Sequence, residues 1–221
     1  MNNTFQKNCG IALIVFILLL VFTMLLHPTG GSAEHMIKIT KLIVITHSIA
    51  ILSLPFGWIG FWGLTRTLGT NNFLSLMGFA MMSVALTAVL LAAATNGLVL
   101  PIFLQKYRGA DTETIERIRD TLSYSFAVNN AFDYIYTAMF SLALLCWSVI
   151  IAKTGRFPKW IGWMGILTFI SLLVMLISGI AVNSLTGLRL FVGCIVVWII
   201  FIAVQLMRPA VSSPEHQKQV V

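Results

Sequence analysis

The residues of this chain best equipped for chemistry lie in the stretch FAVNNAFDYIYTAMF, residues 126–140. Asn129, Asp133 and Thr137 are spaced i,i+4, with Tyr136 close by, so on a helix they share one face. Asn130 adjoins them. A carboxylate flanked by amides in an otherwise apolar run can hold a proton, an ion or a hydrogen-bonding solute. Two further polar residues stand inside apolar runs in the same way: His47 in VITHSIAIL and Asn96 in AAATNGLVLP. The candidate ligand-binding set is therefore His47, Asn96, Asn129, Asn130 and Asp133. Asp133 would be the ionisable centre, His47 its partner, and the asparagines orienting hydrogen-bond groups.

The elements that must position these residues follow from composition. The chain has 221 residues, 58% hydrophobic and 10% charged, with a mean hydropathy of +0.94. Soluble domains carry about 25% charged residues, so the lipid bilayer is the expected solvent. Six apolar runs are long enough for helical spans of about 20 residues: roughly 10–27, 42–64, 73–104, 124–152, 160–182 and 186–207. The expected fold is a single all-α bundle of six transmembrane spans, with a short N-terminal tail at 1–9 and a disordered polar tail at 208–221. The run Ile11–Leu26 resembles a signal peptide followed by GGSAEH. It exceeds the usual apolar region of about 7–15 residues, and an uncleaved first span is the reading adopted. Cys9, Cys146 and Cys194 form no C-x-x-C pair and are expected as free, buried thiols.

The segment GADTETIERIRDTL is the one charged stretch. Glu113 and Arg117 are spaced i,i+4 and Glu116 and Arg119 i,i+3, so both pairs can meet. Ile115, Ile118 and Leu122 make one apolar stripe. A short surface helix, or an outward extension of the fourth span, is expected. With six spans both termini share a face, and the fourteen Lys and Arg divide evenly between the two faces. The compact loop KTGRFPKW, with three positive charges and no negative one, places the termini in the cytoplasm. The tryptophans cluster towards one face and the tyrosines towards the other, as two aromatic belts would. GWIGFWGLT and KWIGWMGILT echo each other at the same face. Glycines three apart let helices approach closely, and this shared demand explains the echo better than an inverted repeat.

Depth decides whether the polar residues can meet. Counting eight residues inward from Leu104 and Tyr124 brings Asn96 and Asp133 to nearly equal depth. His47 lies five residues in from Leu42 at the same face. At about 1.5 Å per residue, all three sit some 8–14 Å below their span ends. Lipid offers such groups no hydrogen bonds, so they are expected to face the bundle interior. A polar pocket between spans two, three and four, open towards loop 105–123, is the economical structure. Two rivals stand beside it: the same residues as interhelical glue, or as interfacial residues with no shared site.

No H-E-x-x-H, G-x-S-x-G or phosphate-binding loop is present, and no catalytic residue is assigned. Haem would need two facing axial ligands, for which only His27 with His47 could be imagined. His47 with Asp133 lacks further metal ligands of convincing spacing. No cofactor and no metal are assigned. The net charge of +7 comes without an aromatic-interleaved basic patch, so nucleic acid is not an expected partner.

The order of segments resembles a broad bacterial family of small six-span inner-membrane proteins catalogued only as a domain of unknown function. The stretches that carry the likeness are HSIAILSLPFGWIGFWGLTRTLG, the Asn/Asp-bearing start of the fourth span, and TGRFPKWIGWMGILTFI. The resemblance implies a fold and a bacterial cytoplasmic-membrane location, and carries over no functional residue. The functional expectation is a non-enzymatic multi-pass membrane protein that binds, passes or senses a small solute. The alternative is an accessory or structural subunit packing against another membrane protein or its own copy.

Overall fold

A computed structural model describes residues 3–28, 31–177 and 185–208. All regular structure among these residues is helical. The elements are α1 (Asn3–Leu26), α2 (Ala33–Lys38), α3 (Thr40–Leu68) and α4 (Phe73–Ala94). A π-helical turn, Thr95–Val99, then leads without a break into α5 (Leu100–Gln105). Next come α6 (Thr112–Arg117), α7 (Arg119–Thr154), α8 (Lys159–Ile177) and α9 (Leu185–Met207). Five stretches among the described residues are long and apolar enough to cross a membrane: α1, α3, the continuous run 73–105, α7 and most of α9. α8 is apolar over a shorter length. α1 starts at Asn3, so most of the expected tail 1–9 is helix. The end of the expected fifth span and the polar C-terminal tail lie outside the described residues.

The long helices form a closed ring. α1 packs on α3, α3 on α4, α4 on α7, α7 on α8, α8 on α9, and α9 returns to α1. Large apolar side chains cover the outside: Leu25, Phe73 and Ile177 are all about three-quarters exposed. A water-soluble fold rarely leaves so many exposed apolar groups contiguous; hydrocarbon tolerates them.

Small residues set how close the helices come. Gly57, Gly60 and Gly63 lie one turn apart on α3 and face Phe16, Leu13 and Cys9 of α1. On α8, a Cβ at Gly162 would come within 2.6 Å of the Ser148 carbonyl of α7. The echoed glycine pattern thus marks two tight helix pairs. Cations finish two helices by binding their last carbonyls, where the backbone dipole favours positive charge. Arg156 Nη1 donates to Thr67 O at 2.8 Å, and Arg189 Nη2 to Met24 O at 3.4 Å.

The ring is filled by aromatic rings in its middle. Phe61 stacks on Trp147 at 5.4 Å and meets Phe16 and Phe140 edge-on. Tyr136, Phe140 and Phe191 form an edge-to-face triangle with centroids 5.4–5.9 Å apart. Such pairs contribute about 0.5–1.5 kcal/mol beyond area burial. Trp147, expected at an interface belt, belongs to this core instead, and so does Trp198, which counting puts nearer mid-span. Trp147 and Trp198 are fully buried, with Nε1 donating to Ser75 O at 3.3 Å and Ile161 O at 3.2 Å. A buried indole needs an acceptor, and a neighbouring helix supplies one in each case. Trp160 and Trp163 are exposed, as a belt requires. Of the thiols, Cys9 is buried but Cys194 is on the outside of α9, because its apolar surroundings are those of the perimeter.

The charged segment resolves into both expected forms. Asp111 caps α6 by accepting from Thr114 N at 2.8 Å. The chain turns at Ile118, and α7 begins at Arg119. The ion pairs Glu113–Arg117 at 2.6 Å and Glu116–Arg119 at 2.8 Å both form, well exposed. Ile118 and Leu122 pack with Met36 and Leu104 in a small separate cluster.

Candidate functional site

The site begins with Pro101. Proline brings no N–H and its ring crowds the carbonyl four residues back. Here the helix widens just before it: Leu100 N–H bonds to Thr95 O, the i→i−5 pattern of a π turn, a feature often found at functional sites. Asn96 and Gly97 lie in that turn. Gly97 faces His47 of α3 so closely that a Cβ there would overlap the His47 Cβ. The glycine therefore permits the π turn and α3 to touch at His47.

Beside this contact lies a cavity of about 330 Å³. It is bounded by the end of α1, by α2 and the start of α3, by the π turn, by the first half of α7, and by Val192 of α9. His47, Asn96, Asn129 and Asp133 all line it. Four of the five candidate residues, from three separate helices, are thus brought to one space. Asn130 is not on its wall. One residue further along a helix turns the side chain by about 100°, which carries it away from Asn129 and Asp133. Tyr136 also lines the cavity, and its edge-to-face contacts with Phe140 and Phe191 join this wall to the aromatic core. It is buried, not a belt tyrosine.

Asn129 Nδ2 donates to Asp133 Oδ2 at 2.9 Å along α7. Among the described residues nothing donates to Asp133 Oδ1. Ser125 Oγ donates to Asn96 Oδ1 at 3.4 Å, the only hydrogen bond between side chains of different long helices among those residues. The expected partnership of His47 with Asp133 is absent. His47 Nδ1 bonds instead to Ile43 O, 2.8 Å away on its own helix, an acceptor already in place without bridging to α7. The ring of His47 rests against that of His27, with centroids 5.3 Å apart and planes tilted by 56°. His27 Nδ1 bonds to Pro28 O at 3.1 Å. His27 stands just beyond the last residue of α1, at the limit of the expected first span. Its closeness to His47 depends on α1 and α3 packing side by side, which spacing alone does not encode. The two rings touch, leaving no room for a porphyrin between them, so a haem with His27 and His47 as facing axial ligands does not fit.

A ring of apolar helices around a small cavity, with a carboxylate, amides, imidazoles and a phenol on its wall, defines a membrane-type helical bundle with a polar site between its helices. No family model matches the chain, and no curated protein or solved structure matches it.

Proposed function

We propose that this chain is a six-span protein of a bacterial cytoplasmic membrane that binds a small hydrogen-bonding solute in the cavity between α1, α3, α4 and α7, without catalysing its conversion. In this reading α8 is the fifth span, and both termini and the KTGRFPKW loop face the cytoplasm. Asp133 and Asn129 would hold the polar end of the solute, with Asn96 and His47 opposite, and the apolar remainder of the wall would take its carbon skeleton. The observation that carries the reading is the gathering of His47, Asn96, Asn129 and Asp133 on one cavity wall. Glue would bond these groups to one another across helices, and the single long Ser125–Asn96 bond is a poor match to that role. Ligand pockets share this pattern of apolar lining with a few convergent polar groups.

The test is Asp133→Asn, purified in detergent beside the native protein. Native mass spectrometry should find a small-molecule adduct on the native chain that is reduced at least tenfold in the variant. The melting temperature should stay within about 2 °C, since Asp133 bonds only along its own helix. A large fall in melting temperature with no adduct on either protein would overturn the binding reading in favour of an accessory subunit.

A further inference from the structure

We infer that His27 and His47 form a binding site for monovalent copper at the α1–α3 wall of the cavity. A backbone carbonyl can only accept a hydrogen bond. The contacts His27 Nδ1 to Pro28 O and His47 Nδ1 to Ile43 O therefore place the imidazole proton on Nδ1 in both rings. Each neutral ring is left with its lone pair on Nε2. Metal-ligating histidines are commonly fixed in this way, one nitrogen donating to a carbonyl so that the other faces the ion. Two imidazoles bound through Nε2 at about 2 Å, with an angle near tetrahedral, hold their centroids about 5 Å apart. Those of His27 and His47 are 5.3 Å apart.

The choice of metal follows from what surrounds the pair. Among the described residues no three His, Cys, Asp or Glu side chains gather to hold an ion, so a conventional zinc set is not offered. Two thioether residues, Met24 and Met36, line the same cavity. Met24 lies in the last turn of α1 and His27 just past its end, and both line the cavity. Imidazole nitrogen with thioether sulfur is a soft donor set that suits Cu(I), an ion content with two to four ligands. Gly97 supports the site from behind, since its missing side chain is what lets His47 occupy its position. The inference shares His47 with the solute reading but does not need it: Asp133 and Asn129 take no part.

The experiment titrates the purified protein anaerobically with Cu(I) against a chromogenic chelator, for the native chain, His27→Gln and His47→Gln. The native protein should hold one more Cu(I) per chain than either variant, and X-ray absorption should show nitrogen and sulfur neighbours in the native protein only for that ion. The three thiols are common to all the proteins, so the difference isolates the histidine pair. Asp133→Asn should keep full copper stoichiometry even where it loses the solute adduct. If His47→Gln does not fold, His27→Gln decides, because that ring lies beyond the end of α1. Equal copper on native protein and His27→Gln, or Zn(II) held at one per chain with no Cu(I), would overturn the assignment.

Discussion

Gly97 and His47 share one contact: the backbone of the π turn lies directly against the Cβ of the histidine, with no space for a side chain between them. The atom in the way is close to the α3 backbone and has no rotamer by which to escape. A methyl group at 97 would have to push α3 and the π turn apart.

Gly97→Ala is accordingly expected to destabilise the protein by about 1–3 kcal/mol, the usual range for overpacking a tight contact. It should also move His47 away from His27. The first effect is measured by thermal melting in detergent, the second by the loss of Cu(I) binding described above. A variant that melts like the native protein would show that the α3–π contact is looser than described.

The three glycines of α3 that face α1 should differ in a fixed order. At Gly63 the obstacle is the Cβ and Sγ of Cys9; at Gly60 it is the Leu13 Cγ and Cδ2, with the Leu13 backbone nitrogen at 3.2 Å behind them; at Gly57 it is the Phe16 ring at 3.1 Å. Rings and leucine ends can shift, whereas a Cβ cannot. Substitution by alanine should lower the melting temperature most at Gly63, less at Gly60 and least at Gly57, with losses up to about 3 kcal/mol. A reversed order would mean that α1 and α3 meet in a different register.

Asp111 gives a pH response outside the spans. Bonds from the Thr114 side chain and backbone hold its carboxyl below the ordinary value. A carboxylate with a depressed folded pKa stabilises the fold above its unfolded value, about 3.9, and that contribution is lost as pH falls through the lower folded value. Amide exchange at Thr114, corrected for intrinsic rates, should stay protected through the ordinary carboxylate value of about 3.9 and open only at lower pH. Asp111→Ala should leave it open at every pH. Protection that persists in the variant would assign the bond elsewhere.

Hydropathy located the long apolar helices, and counting along them put His47, Asn96 and Asp133 at one level, consistent with the cavity that they share. Asn96, Asp133 and His47 could be placed at one level because a helix rises uniformly, so distance along the chain converts directly to distance through a membrane. What counting does not give is the direction in which a side chain points. Trp147 lies where a belt residue would, yet faces the centre of the ring. Cys194 lies in a run as apolar as any core helix, yet faces outward. Asn130 is next to Asn129 in sequence and on a different face. His47 pairs with His27, a partner fixed only when Gly57, Gly60 and Gly63 bring α3 against α1. The π turn was also invisible as such, although Pro101 within an apolar run was its physical cause.

The aromatic assembly at the middle of the ring gives the chamber a floor. Tyr136, Phe140, Phe191 and Phe61 come from three different helices and lean on one another edge to face. A solute bound above them in the proposed role would have no straight route past those four rings unless they swung aside together. Molecular traffic across the bilayer would thus require a concerted rearrangement of the most tightly interlocked part of the protein, whereas reporting occupancy to the far face would require only that the floor be nudged.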